Sequence, residues 1–336
     1  MDESIQLGSD KILVVLGIRE SQIDFNRALI LTDMTPFVIK SQKSWTADLI
    51  KQELENLKNE IGTIIYSVAD HGRTIKKALT EMDIKHIHDL THKIALILEK
   101  LLTDSVQYLE ISEKMTETRM KTKQSDIAYL IAPKQRKKSR FLNIKIIAKW
   151  ANQMLSLLNS DNTVCQKVLD TYGWLKQYES FLCDMKDVDR VICEIGKILK
   201  TCGLSQLSKS RCFEILDELS GELGTPVKEQ IKKHLDDIQI LIPDKDLLLI
   251  TSDIIESSFG KYKNMISRNP MAGITNLALS IAAFTSDLSE ETITTALETT
   301  TVKDIEKWSD KNIGNSLLKK RREAFSISKK NGTNGF

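Results

Sequence analysis

Residues 11–18 read KILVVLGI, an unbroken run of β-branched and leucine side chains between Gly8-Ser9-Asp10 and Arg19-Glu20. Such a bounded apolar run predicts a strand. The Gly-Ser-Asp stretch predicts a tight turn, so residues 3–7 are expected to pair with residues 11–18 as a hairpin. Residues 35–40, TPFVIK, predict a further strand, with residues 28–31 as a candidate extension. From Trp45 the period changes: Trp45, Leu49, Ile50, Leu54, Leu57 and Ile61 recur at three and four, the spacing of one helix face. Residues 63–69, TIIYSVA, return to a strand pattern and end at Asp70. A short helix over 74–82, a short strand over 85–88 and a long helix from near Thr91 follow. A hairpin first and β-α-β crossovers second predict a mixed sheet with helices packed on it.

Between residues 92 and 246 nearly everything reads as helix. Leucine and isoleucine recur at three and four spacing, as in Ile94, Leu96, Ile97 and Leu101 and in Val191, Ile195, Ile198 and Leu199. After Pro243 come an apolar stretch over 247–251 and a helix from about Ser252. Asn269-Pro270 marks a break before an apolar helix over 274–284, read as core. The predicted organisation is a core of residues 1–95 with 246–300, a helical insertion over 96–245, and a C-terminal helix with a frayed Gly/Asn-rich tail over 301–336.

Composition changes little in this picture. Of 336 residues, 41% are hydrophobic and 28% charged, which is ordinary globular usage. The 48 basic and 46 acidic residues nearly cancel, so net charge names no partner. No run reaches the ~18 apolar residues of a membrane span. The best, residues 274–284, is interrupted by Thr275, Asn276 and Ser280. The acidic start Met-Asp-Glu-Ser is no signal peptide, so no membrane association and a cytoplasmic location are expected. The five cysteines, Cys165, Cys183, Cys193, Cys202 and Cys212, show no CxxC pair and are expected to be buried reduced thiols.

Charge is concentrated locally. Residues 114–149 carry 11 Lys/Arg against Glu117 and Asp126, including Lys134, Arg136, Lys137, Lys138 and Arg140. Such a run is often a solvated loop. Flanked by Tyr129, Phe141 and Trp150, in a nearly neutral chain, it is a candidate phosphate-backbone contact. A second cluster, Lys319-Lys-Arg-Arg322, is equally explained by the dipole of the helix it ends.

Three carboxylates stand out by context: Asp2 in the first strand, Asp70 ending the strand TIIYSVA, and Glu256 on the helix SDIIESSFGKYK. If the first and fourth strands are neighbours, Asp2 and Asp70 face one another and a helix packed across that edge adds Glu256. Converging carboxylates repel unless cations neutralise them, and hard oxygen ligands suit Mg²⁺ or Mn²⁺. Solvated surface carboxylates remain the alternative on spacing alone. His86, His88, Asp89 and His92 have spacings that suit zinc ligation, against simple packing. Gly260 inside a helix suggests close approach of another backbone or of DNA, or else a kink.

Three segments carry a resemblance: DESIQLGSDKILVVLGI, IIYSVADHGRTIKKALTEMDIKHIHDLTHKI and SDIIESSFGKYKNMISRNPMAGITNLALSIAAF. Together they resemble the insertion-sequence transposases of the DDE type, whose catalytic core is ribonuclease H-like. The six residues between Glu256 and Lys263 match the Glu and Lys of that family's signature. Its Tyr and Arg are replaced by Leu249 and Ser252. The resemblance implies an α/β fold, a ribonuclease H-like mixed sheet with flanking helices, interrupted by a large all-helical insertion. It implies that Asp2, Asp70 and Glu256 hold two Mg²⁺ or Mn²⁺ ions for DNA cleavage and strand transfer. Lys263 would contact a DNA phosphate, and His71 and His92 would lie near the site. The implied partner is double-stranded DNA, both transposon ends and target, engaged by a homodimer that is nucleoid-associated when bound. Asp2 stands one residue from the start, which the resemblance reads as an N-terminal truncation. A catalytically inactive remnant that only binds DNA or protein, and a ribonuclease H-like nuclease without strand transfer, are the alternatives.

Overall fold

The computed structural model describes residues 1–7, 10–135, 144–160, 165–266, 276–313, 315, 318–323 and 325. The chain is mixed α/β and mostly helical. It divides into two compact units, Met1–Asp89 with Ile250–Phe336, and Leu90–Leu249. The breaks fall a few residues from 95 and 246, and the segment after residue 300 groups with the first unit.

In the first unit, β1 (Asp2–Leu7), β2 (Asp10–Gly17) and β3 (Thr35–Gln42) form an antiparallel sheet in that order. Then come α1 (Ala47–Ile61), β4 (Tyr66–Ala69), α2 (Arg73–Glu81) and β5 (Lys85–His88); β4 and β5 pair in parallel as a second, two-stranded sheet, so the described strands form two sheets where one mixed sheet was expected. Residues 28–31 do not extend β3. The Asp33 carboxylate accepts from the Ile30 N–H at 2.7 Å and pairs with Arg27 at 2.6 Å, which closes Leu31–Asp33 into a 3-10 turn.

The uninterrupted apolar run in β2 has a physical cause: both faces of the strand are covered. Leu13 and Val15 pack with Val38, Trp45, Ile50, Leu54, Ile75 and Leu79 under α1 and α2. Ile12, Val14 and Leu16 pack on the other side with Ile39, Ile255, Phe259, Tyr262 and Ile281. A strand covered on one face would alternate apolar with polar; this one cannot. Trp45 fastens the start of α1 to the sheet, its Nε1 donating to the Lys11 carbonyl at 3.0 Å.

The second unit comprises α3 (Leu90–Asp104), α4 (Val106–Thr122), α5 (Ile144–Leu158), α6 (Gln166–Tyr172), α7 (Glu179–Cys202), α8 (Gln206–Asp217) and α9 (Gly221–Leu241). The long α7 packs against α5, α8 and α9. It buries Phe181, Leu182, Met185, Val188, Val191, Ile195 and Leu199, three- and four-residue steps along one stripe. The apolar stretch after Pro243 makes an isolated antiparallel bridge, Leu248 with Leu204.

The chain then re-enters the first unit through α10 (Asp253–Ile266), followed by α11 (Ser280–Ala283), α12 (Glu290–Thr299) and α13 (Val302–Asn312). In place of the expected apolar helix over 274–284, Asn276–Leu279 forms a 3-10 turn ahead of the short α11; Ala278 and Ile281 are fully buried, Leu277 is exposed, and residues 267–275 lie outside the described part. Among the described residues, no helix is long and apolar enough to cross a membrane. All five cysteines are free, but only Cys212 is buried. Cys165, Cys183 and Cys193 are exposed, on the polar side of the helical stripes or just before a helix, and Cys202 is intermediate. The expectation of buried thiols is therefore corrected for those positions.

Candidate active site

The parallel pair β4 and β5 ends in register at Ala69 and His88. Asp70 and Asp89 each follow directly, and the Asp89 N–H donates to the Ala69 carbonyl at 2.9 Å. The carboxyl ends of parallel strands are where open α/β sheets commonly bind their ligands. On the other side of β4, the Met1 nitrogen donates to the Val68 carbonyl at 3.0 Å, so the start of β1 lies beside β4. Asp2 follows, 7% exposed and paired across the hairpin with Val14. Burial pushes the Met1 amine down to about 6, against the opposing pull of the Asp2, Asp70 and Asp89 charges. Those three aspartates thus lie within electrostatic reach of one point.

The half-buried Asp70 is shaped by its own turn. Its Oδ1 accepts from the Gly72 N–H at 3.1 Å, and a Cβ on Gly72 would stand 3.0 Å from that same oxygen.

Glu256 comes from α10. Ile255, Phe259 and Tyr262 are buried in the sheet's second core, and the residue after the first of these, Glu256, is exposed. Lys263 is also exposed, seven residues on and about two turns along the same face. The N-terminal end of α10 is tied down by Asp89. Its Oδ2 accepts from the Ser252 N–H at 2.6 Å and the Ser252 hydroxyl at 2.9 Å. In sequence Asp89 stands within a histidine-rich stretch of metal-ligand spacing, which does not announce this contact. The usable signal was an Asp directly after each of two short strands joined by a crossover, at 70 and at 89.

His71 stacks on His88, ring centroids 4.2 Å apart, and lies 5.8 Å from His86. His86 is held below the ordinary imidazole range mainly by burial, with hydrogen bonding to the Ala69 and Asp70 backbone working the other way. His92 lies in the first turn of α3, in the second unit. Among the described residues, no three His, Cys, Asp or Glu side chains stand close enough to hold one metal ion. Asp2 lies in the three-stranded sheet and Asp70 directly after a strand of the two-stranded one, the two joined by the Met1–Val68 hydrogen bond; Glu256 comes from the helix anchored at Asp89, and the donor atoms of all three are carboxylate oxygens. That donor chemistry fits Mg²⁺ or Mn²⁺.

The basic segment divides. Lys114 sits over the rings of Trp174 and Tyr178, 5.9 and 5.6 Å from their centroids, and Arg119 donates to the Ala132 carbonyl, so both are used inside the second unit. Lys134 is exposed, next to a chain path held by Trp150 and Tyr172, which both donate to the Leu130 carbonyl. Arg136, Lys137, Lys138 and Arg140 lie outside the described residues. In the C-terminal cluster, Lys320 reaches Asp10 at 3.2 Å. Gly260 is exposed, and a Cβ there would meet nothing within 4 Å, so no described segment approaches it.

No protein-family model matches the chain, and a search of curated proteins finds no significant match.

Proposed function

We propose that this chain is a metal-dependent polynucleotidyl transferase of the DDE transposase type, with a ribonuclease H-like core interrupted by the helical unit. One observation carries the reading: Asp2 on β1 and Asp70 after β4 lie on strands brought together by the Met1–Val68 hydrogen bond, and the helix bearing Glu256 is tied to the end of β5. The three-stranded sheet β3-β2-β1, covered on both faces at β2, stands next to the two-stranded sheet β4-β5 through that hydrogen bond, an arrangement that supports a ribonuclease H-like reading.

Asp2, Asp70 and Glu256 would hold Mg²⁺ or Mn²⁺. Mg²⁺ commonly keeps several waters and takes only one or two carboxylates plus substrate phosphates, so a closed three-ligand cluster is not a precondition. Bound there, the ions would supply charge neutralisation at the scissile phosphodiester and a more acidic attacking water or 3′-hydroxyl. The protein's own part is to keep the Asp2 carboxylate buried and oriented, to hold Asp70 through the Gly72 N–H, and to present Glu256 and Lys263 on one face of α10. Lys263 would take a backbone phosphate as a point charge. Exposed Lys134 begins the densest part of the basic segment, where Arg136, Lys137, Lys138 and Arg140 would add further phosphate contacts and a salt-sensitive affinity for duplex DNA. Two transposon ends require two active sites, which supports a homodimer on DNA. His71 would neighbour the Asp70 carboxylate.

The test is nicking of supercoiled plasmid in Mn²⁺ by the wild type and by Asp70→Ala and Glu256→Ala. Loss in both variants supports the assignment, and undiminished nicking by both sinks it. A DNA-binding protein without cleavage is the second reading. It is favoured by Leu249 and Ser252 standing where the family signature has Tyr and Arg. Salt-dependent duplex binding with no nicking by the wild type would select it.

A further inference from the structure

We infer that Asp89 is a positioning residue that sets where Glu256 stands relative to Asp70; the inference rests on the reading just given. Asp89 is 1% exposed. A buried carboxylate is costly unless hydrogen-bonded, and this one takes two donors from a single residue, the Ser252 N–H at 2.6 Å and its hydroxyl at 2.9 Å. Ser252 is the residue immediately before α10, so the negative charge also sits at the favourable end of that helix.

The origin of this clamp distinguishes it from an ordinary cap. A helix is usually capped by its own preceding residue, whereas here the acceptor is 163 residues away in sequence, on the far side of the helical unit's whole length of chain. At its other end Asp89 is referenced to the strand pair, its N–H on the Ala69 carbonyl, one residue before Asp70. The path from Asp70 to Glu256 therefore runs through one peptide hydrogen bond, one carboxylate and one turn of helix. Ser252 occupies the spacing where the family signature has Arg, and in this chain its two donors serve the clamp. An Asp89 Oδ2 already taken by two protein donors is poorly placed to be an ion ligand itself.

The test uses the full chain and Mn²⁺ alone, titrated by calorimetry, with circular dichroism to establish folding. Asp89→Ala is expected to weaken Mn²⁺ affinity by about tenfold while retaining the native spectrum, the usual scale for a residue that orients a ligand. Asp89→Asn keeps an acceptor for the Ser252 N–H and is expected to recover affinity to within about threefold. Glu256→Ala is the reference for loss of the ligand. Should Asp89→Ala fail to fold, Ser252→Ala, which removes only the hydroxyl donor, is expected to weaken binding by about threefold. If Glu256→Ala loses affinity and Asp89→Ala and Ser252→Ala do not, the positioning role is overturned and the site stands. If Asp89→Asn is as weak as Asp89→Ala, Asp89 acts through its charge and the positioning role is overturned. If the wild type binds no Mn²⁺, the functional reading fails and takes this inference with it.

Discussion

The imidazole of His71 lies on that of His88 with ring centroids 4.2 Å apart and planes 24° from parallel, and His86 is the next ring along. Strand alternation puts residues 86 and 88 on one face of β5, and the loop after β4 lays His71 over them. Burial and the nearby His71 both hold His86 below the ordinary imidazole value of 6.5. The folded chain therefore binds its proton later than the unfolded chain does as pH falls. Stability is complete above about pH 6.5 and declines as pH drops toward the lower folded value. Urea midpoints are expected to fall between about pH 7.5 and 5.5, and His86→Gln should flatten that dependence. An unchanged slope in the variant would assign the dependence to other groups.

Gly72 gives a second handle on Asp70. An alanine Cβ there would stand 3.0 Å from Asp70 Oδ1, so the carboxylate must give by a few tenths of an ångström. Gly72 also precedes α2, where Ala is a poorer capping residue than Gly. Gly72→Ala is expected to lose under about 1 kcal/mol of stability and, under the proposed function, to slow Mn²⁺-dependent nicking by roughly tenfold. Wild-type nicking by a folded variant would show that the position of Asp70 tolerates the shift, and would count against its role as a ligand.

Much of the first unit was legible because its strands are short, uninterrupted and separated by strong helical periods. The run KILVVLGI and the step from Trp45 to Ile61 each admit one reading. The extension over residues 28–31 failed because its conformation is set by a side chain, Asp33, that reaches back to Ile30 and Arg27; no period reports such a contact. The adjacency of β1 and β4 was inferable as a condition, but the anchoring of Glu256 through Asp89 was not. That hydrogen bond spans most of the chain, and nothing local to Ser252 or Asp89 announces it. The cysteines depart from the expectation of buried thiols for a related reason: their helices are buried on one stripe only, and thiols such as Cys183 and Cys193 fall off it.

The double coverage of β2 makes a quantitative claim. Leu13 faces the core under α1 and α2, and Ile12 faces the core under α10 and α11, both with no exposed surface. Leu13→Ala and Ile12→Ala are each expected to cost about 2–5 kcal/mol. Leu297→Ala on α12, where the side chain is 78% exposed, should change stability by less than about 0.5 kcal/mol. Denaturant unfolding measures all three. A cheap Ile12→Ala would mean that the α10 face is not packed on the sheet, and Glu256 would lose its support.

Thiol reactivity tests the second unit directly. Cys212 is fully buried in α8, and burial pushes its thiol up to about 12. The thiolate is the reactive form, so Cys212 should be inert in the native chain. Dithionitrobenzoate is expected to react promptly with the exposed Cys165, Cys183 and Cys193, more slowly with Cys202, and with Cys212 only after unfolding. Native labelling of Cys212, read by peptide mass, would contradict the packing of α8.

Gly260 separates stability from function on α10. It is interior to the helix and exposed, with open space where a Cβ would go. A glycine there costs about 0.8–1 kcal/mol relative to alanine, so Gly260→Ala should raise the thermal midpoint. The same residue lies between Glu256 and Lys263, on the helix proposed to meet DNA. If the duplex backbone approaches α10 closely, the added methyl is expected to weaken DNA binding while the free protein becomes more stable. Filter binding at fixed salt, alongside thermal unfolding, reads both. Higher stability with unchanged affinity would remove close backbone approach as the reason for glycine, and would move the DNA contact off this part of α10.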